Sequence, residues 1–310
     1  MSRCLLVNSA AAAGRQIGVE ALRRNDPLLD VVESILRAAE NDTAERSLGL
    51  GGRPNLLGVV ELDASLMDGS TRHTGSVGAL TGFLHPVSVA RQVMERLPHE
   101  FLVGEGAARF AREIGAEAGD LLTPESREEW EAWLAQHFHG TPEELTRAAA
   151  PRDGIPLSDL VWKAVGPVTH RDTAIVLVSD GTNLASGTST SGWPFKYPGR
   201  LGDSAVIGGG HYADSRYGAA ACTHTGEMAT RAGTARSIVH SLRLGRSPEE
   251  ACREAIEDVR TLREGLLSDL VVHALDRAGR HCALSTGVAA SYWWWTAGIE
   301  EPEYREPAVV

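Results

Sequence analysis

The residues best placed to do chemistry begin at Asp172-Thr173-Ala174-Ile175-Val176, where a hydroxyl heads a strongly strand-forming run. Residues 150–169 before it are interrupted by Pro151, Gly154, Pro156, Gly166 and Pro167, and read as an exposed linker. If the Asp172–Thr173 bond is cut, Thr173 gains an α-amino group with an ordinary pKa of about 7.7–8.0. That amine can act as base for its own hydroxyl. Downstream, Gly199-Arg200-Leu201-Gly202-Asp203-Ser204 sets a guanidinium and a carboxylate three residues apart among glycines. Such a pair can clamp the carboxylate and ammonium of one amino acid. Gly187-Thr188-Ser189-Thr190 and Thr223-His224-Thr225-Gly226-Glu227 add hydroxyls and backbone donors.

Each feature also has a plainer reading. Thr173 and Thr190 are good β-formers. Arg200 and Asp203 can be a loop ion pair, worth little at a surface. Thr223 to Glu227 can end a strand and cap a helix. His170, His211 and His224 fit no zinc-ligand spacing, and Gly208-Gly209-Gly210 lacks the strand and distal acid of a dinucleotide fingerprint.

The elements that must position these residues are legible in outline. Cys4 to Asn8 reads as a first buried strand, and Asp26-Pro27 opens a helix with one apolar face through Val32, Ile35 and Leu36. Alternation from Val59 to Leu66 predicts a strand. Helices start at His85-Pro86, Thr123-Pro124, Thr141-Pro142 and Ser247-Pro248, the last two with capping-box spacing. Ala174–Val178 and Asn183–Thr190 form a hairpin about Asp180-Gly181, followed by a Gly-rich loop over 191–210. Glu227 to Leu242 reads as one helix, and the chain ends in strands at Leu270–Leu275, Cys282–Ser285 and Tyr292–Thr296. Strands at both ends with helices between favour a layered α+β fold. In Tyr292-Trp293-Trp294-Trp295, alternation sends Trp294 to the face opposite its neighbours; core packing is expected for one face.

Composition bounds the partners. The 310 residues carry 30 basic and 41 acidic side chains, a net charge of −11. That balance lacks the basic footprint of nucleic-acid binding and disfavours anionic membrane surfaces. No apolar run reaches the roughly 18 residues of a membrane span. Cys4, Cys222, Cys252 and Cys282 are scattered without a CxxC pair, and the first residues lack a signal-peptide pattern, so a cytoplasmic small-molecule enzyme is expected.

Taken together, Asp172 to Glu227 resembles the aspartylglucosaminidase and plant-type asparaginase family of N-terminal-nucleophile (Ntn) hydrolases. Leu48-Gly49-Leu50-Gly51-Gly52-Arg53-Pro54, Leu62-Asp63-Ala64-Ser65-Leu66-Met67-Asp68-Gly69 and Val103-Gly104-Glu105-Gly106-Ala107 extend the resemblance in order over nearly the whole chain. It implies a single domain over 1–310 with a four-layer αββα sandwich, self-cleaved into 1–172 (including a linker at about 150–172) and 173–310. The smaller fragment would then have 138 residues (310 − 172). It implies that Thr173 is the nucleophile, Thr190 the hydroxyl that tunes it and Thr223 the oxyanion stabiliser with the N–H that follows. Arg200, Asp203, His224 and Gly226 are implied to bind substrate, with no cofactor and no metal. An asparagine-type amide is the implied substrate, and an (αβ)2 homodimer the implied assembly.

Four positions depart from the family pattern. Arg171 stands where His is usual, with His170 one residue earlier, and Ile175 stands where Gly is common. His224 replaces a Gly, so it must hold that residue's backbone geometry. Ala10-Ala11-Ala12 occupies the place of the Trp of sugar-processing members, which predicts a poor sugar substrate. The alternatives are an isoaspartyl peptidase, a specialised biosynthetic amidase, and an uncut pseudoenzyme that binds through its pocket or its Trp-rich end.

Overall fold

The computed structural model describes residues 2–138, 141–148, 157–164 and 172–310. His170 and Arg171 lie outside them, as do residues 150–156 and 165–169 of the expected linker.

In chain order the elements are β1 (Cys4–Asn8), a 3-10 segment Ser9–Gly14, α1 (Arg15–Arg24), α2 (Leu28–Glu40), β2 (Leu62–Asp68), β3 (Thr74–Leu80), α3 (Pro86–Arg96), β4 (Phe101–Val103) and α4 (Gly104–Glu113). Next come α5 (Pro124–His137), α6 (Pro142–Ala148), α7 (Leu157–Ala164), β5 (Ala174–Ser179), β6 (Leu184–Thr190), β7 (His211–Asp214) and β8 (Gly218–His224). The chain continues as α8 (Gly226–Ala232), α9 (Thr234–Arg243), α10 (Pro248–Arg260), β9 (Leu270–Asp276), β10 (His281–Ser285), β11 (Tyr292–Thr296), β12 (Glu303–Arg305) and β13 (Ala308–Val309). They form an eight-stranded sheet, β12-β11-β1-β5-β6-β2-β3-β4, and a five-stranded sheet, β13-β10-β9-β8-β7.

Side-chain alternation stacks these sheets. Leu5, Val7, Val176 and Val178 point to the core shared with the first helices, while Cys4, Leu6, Ile175 and Leu177 point the other way. There they meet Ala219, Ala221 and Leu275 of the second sheet. Ala220, Cys222, Val272 and Ala274, on that sheet's far face, pack on α9 and α10 through Ile238, Val239, Cys252 and Ile256. The order is helix, sheet, sheet, helix: the expected αββα sandwich.

Three local expectations need correction. The strand expected from Val59 starts at Leu62, because the Asn55 side chain accepts from Leu57 N and Val59 N and closes a turn. The helix expected over 227–242 is two, divided at Gly233, whose φ of 58° ends the first with a left-handed cap. Part of the expected exposed linker is helix α7, whose Leu160 and Ala164 are buried against Trp130 and Leu134 of α5. The i, i+3, i+4, i+7 spacing of Leu157, Leu160, Val161 and Ala164 explains it, masked in sequence by the flanking Pro156 and Gly166. The Ser247 and Thr141 capping boxes form as expected. Trp294 does point away from Trp295, toward the space between the sheets.

Candidate active site

Strand pairing gathers the site at one end of the larger sheet. β5 lies between β1 and β6, in the registers Val7↔Val176 and Ala174↔Ser189, and β6 pairs with β2 through Asp63↔Thr190. Thr173, Thr190, Asp63 and Asn8 are therefore neighbours in space. Asn8 holds the segment around the expected scissile bond. Its Nδ2 donates to Asp172 Oδ1 (2.9 Å) and to the Thr173 carbonyl (2.8 Å), and its Oδ1 accepts from Ile175 N (3.0 Å). The Ser9 hydroxyl donates to Asp172 Oδ2 (3.0 Å), and Thr173 N donates to Asp172 Oδ1 (2.9 Å). Asp172 keeps some surface at a cavity mouth, but its carboxyl is enclosed. Burial pushes it up to about 7, with Glu45 raising it further against the hydrogen bonds.

On one side of Thr173 is a tight cavity, lined among others by Thr173, Thr190, Trp193, Arg200, Asp203 and His224. Arg200 binds Glu227 through Nε (3.0 Å) and Nη2 (2.8 Å), so its fixed partner is Glu227, not Asp203. The Trp193 ring covers its guanidinium at 5.1 Å. Nη1 faces Gly192 and Gly202, where added Cβ atoms would come within 3.1 and 3.0 Å of it. Asp203 is buried, and its Oδ2 has no hydrogen-bond partner. Burial pushes its carboxyl up to about 7, against the attraction of Arg200. An unsatisfied buried carboxylate next to a cavity is the group a ligand ammonium would satisfy. Asp63 braces this loop by accepting from Ala79 N (2.8 Å) and Gly202 N (3.3 Å).

Thr190 lines the cavity, while its hydroxyl donates to the Ser47 carbonyl (3.1 Å) and accepts from Gly192 N (2.9 Å). The hydroxyl beside Thr173 Oγ1 is that of Ser204, at 3.5 Å. His224 takes a left-handed backbone, φ 83°, as a residue in a glycine's place must. Thr223 is buried behind it, its Oγ1 2.9 Å from His224 Nδ1, and does not itself line the cavity. Gly226 does not line it either. Its missing side chain lets the backbone pack on Asp203: a Cβ there would lie 2.4 Å from Oδ1.

On the other side of Asp172 opens a wider cleft of about 480 Å³, sharing Asp172 and His224 with the first. Ser9, Glu45, Arg46 and Arg53 line it with the 288–290 loop, and among the described residues no Phe, Tyr or Trp side chain does. Ala10 and Ala11 are buried in the helix–sheet core. Sequence reading missed Asn8, Ser9, Asp63, Trp193 and Ser204. Ser204 stood beside Asp203 in the quoted motif, but Asn8 carried no signal beyond ending a buried strand.

The layered fold is that of an Ntn-hydrolase sandwich. The chain belongs to the asparaginase family, which matches residues 7–304. It is similar to the N(4)-(β-N-acetylglucosaminyl)-L-asparaginase of Elizabethkingia miricola, 37% identical over 250 residues, which cover 79% of this chain and 66% of that protein. The protein of the same name from Rattus norvegicus is 34% identical over 239 residues, 74% of this chain and 69% of its own. A Drosophila melanogaster relative is 34% identical over 261 residues, 79% and 65%. The chain spans just under two thirds of the Elizabethkingia and Drosophila relatives.

Proposed function

We propose that this protein is an N-terminal threonine amidohydrolase that cleaves the side-chain amide of L-asparagine or an N4-substituted asparagine. The observation that carries this reading is the placement of Thr173. Its buried hydroxyl opens onto a cavity that also holds the Arg200 guanidinium and the unsatisfied Asp203 carboxylate. The names of the similar proteins support an asparagine-linked amide as substrate.

In the precursor, Thr173 Oγ attacks the Asp172 carbonyl carbon, the C–N bond breaks, and an ester forms with a free Thr173 amine. Water hydrolyses that ester, leaving fragments 1–172 and 173–310. In the mature enzyme the α-amine accepts the Oγ proton while Oγ attacks the substrate's amide carbon. The backbone N–H of His224 stabilises the oxyanion, with the Thr223 hydroxyl behind it bracing the His224 ring. The amine or ammonia departs with a proton, and water releases L-aspartate from the acyl-enzyme. Arg200 takes the α-carboxylate, Asp203 the α-ammonium, and Thr190 fixes the loop beside the nucleophile. The fragments stay together as one protomer, and the family resemblance pairs two protomers. The leaving group lies toward the wider cleft. With no Phe, Tyr or Trp platform there among the described residues, a glycosylated asparagine is the poorer substrate.

Intact mass and a denaturing gel of the purified protein test this. Two fragments are expected, the smaller beginning at Thr173, while Thr173→Ala stays whole. A wild-type chain that remains uncut after prolonged incubation overturns the proposal. Aspartate release is then compared among asparagine, N-acetylglucosaminyl-asparagine and β-aspartyl dipeptides. Fastest turnover of the sugar substrate refutes the leaving-group inference.

A further inference from the structure

Behind the nucleophile, a row of buried polar side chains crosses the space between the two sheets. His211 on β7 reaches from the smaller sheet to the larger one, with Nε2 2.7 Å from Ser65 Oγ on β2 and Nδ1 2.7 Å from Ser186 Oγ on β6. Ser65 Oγ donates to the Ser204 carbonyl, and Thr188 Oγ1 donates to the same oxygen at 2.7 Å. All five residues are essentially inaccessible to solvent.

Hydrogen counting assigns the protons. Ser65 has one hydroxyl proton and gives it to the Ser204 carbonyl, so toward His211 it can only accept. His211 therefore carries its proton on Nε2, and Nδ1 accepts from Ser186. Burial pushes the imidazole down to about 3, so it is neutral across the working pH range. The chain runs in one direction: Ser186 to His211 to Ser65 to the Ser204 carbonyl. That carbonyl takes both of its hydrogen bonds from hydroxyls on the larger sheet, which fixes the Ser204 backbone. The Ser204 hydroxyl is thereby aimed at Thr173 Oγ1, 3.5 Å away.

We propose that Ser204 is a further catalytic residue, donating a hydrogen bond to the Thr173 oxygen as that oxygen becomes the nucleophile, and that His211 is the positioning residue behind it. This rests on Thr173 being the nucleophile. Ser204 keeps its proton throughout; its contribution is to stabilise charge growing on Oγ while the Oγ proton moves to the Thr173 amine. A contact of this length in a resting site tightens as charge develops. Asp203 is the preceding residue, so the same two hydroxyls that fix Ser204 also help hold the ammonium-binding carboxylate in register.

The test compares wild type, Ser204→Ala and Ser65→Ala as full chains. Readouts are the time course of fragment formation, the melting temperature, and kcat and KM for L-asparagine. Ser204→Ala is expected to slow cleavage and to lower kcat by roughly ten- to a hundredfold. Its KM stays within about threefold of wild type, and melting is little changed. Ser65→Ala lowers kcat in the same direction by less. Wild-type cleavage and kcat in Ser204→Ala overturn the proposal, as does a loss confined to KM. If Ser204→Ala fails to fold, an unchanged kcat in folded Ser65→Ala overturns the network. A wild-type chain that never cleaves overturns the reading of Thr173 itself, a result distinct from a cut wild type with an indifferent Ser204→Ala.

Discussion

Gly226→Ala separates the geometry of the ammonium site from ordinary helix energetics. Gly226 is the first residue of α8, and by helix propensity alone alanine there would stabilise by up to about 1 kcal/mol. The structure predicts the opposite. The new Cβ would meet Asp203 Oδ1 at 2.4 Å, Asp203 N at 2.9 Å and Asp203 Cγ at 3.1 Å. Carbon and oxygen cannot approach so closely, and Asp203 is buried where it lines the cavity. Overpacking of this kind costs about 1–3 kcal/mol, enough to reverse the propensity gain. A displaced carboxylate would also weaken the hydrogen bond we propose it makes to the substrate ammonium. A charged hydrogen bond is worth about 1.5–3 kcal/mol. At about 1.36 kcal/mol per tenfold, kcat/KM falls by roughly ten- to 150-fold, mainly through KM. The assays are thermal unfolding and steady-state aspartate release from asparagine. A variant as stable as wild type, with unchanged KM, refutes the claim that Gly226 is small because Asp203 needs its space.

Two further outcomes follow from the same residues. Asp203 is pushed up to about 7 from 3.8, so the folded chain keeps a proton that the unfolded chain releases near pH 4, and folding weakens as pH rises across that window. In an uncut Thr173→Ala background, Asp203→Asn removes this penalty. Its gain in melting temperature over the parent should be larger at about pH 8 than at about pH 4, and an equal gain at both contradicts the assignment. At His224, alanine and glycine substitutions both lose the imidazole contact to Thr223, but only glycine is at ease at φ 83°. Chemical unfolding should place His224→Gly about 1 kcal/mol above His224→Ala, and the reverse order refutes backbone strain at this position.

What was legible in the sequence was local. Proline followed by glutamates after Ser247 or Thr141 encodes a helix start within four residues, and each cap forms. The unbroken apolar runs of β1 and β5 encode buried strands, although only the structure shows that both faces are covered because a second sheet and a helix layer sandwich them. Arg200 and Asp203 announced themselves by charge among glycines. Their actual partners did not: Glu227 is 27 residues from Arg200, and the Ser65 and Thr188 hydroxyls that hold Ser204 come from strands 139 and 16 residues away. Asn8 touches Thr173 across 165 residues. Such contacts are set by strand register, and one sequence carries no local trace of which strand will be a neighbour. The α7 helix was missed for another reason, since the prolines and glycines around it are real breakers and conceal a short amphipathic turn between them.

The strand order also constrains what cleavage before Thr173 can do. Of the eight strands in the larger sheet, β1, β2, β3 and β4 precede the cut, and β5, β6, β11 and β12 follow it. They are interleaved: β1 lies between β11 and β5, and the β5–β6 hairpin lies between β1 and β2. Separating the fragments would break three ladders, β11–β1, β1–β5 and β6–β2, and expose the apolar faces of each. The proposed cut would therefore release only local constraint. It would free the Thr173 amine at the end of a strand that β1 and β6 clamp from both sides, with Asn8 bonded to the Thr173 carbonyl and to Ile175 N. If Thr173 is the nucleophile we propose, the strand pairing and the Asn8 contacts already hold it beside the cavity that contains Arg200 and Asp203 before any cut is made.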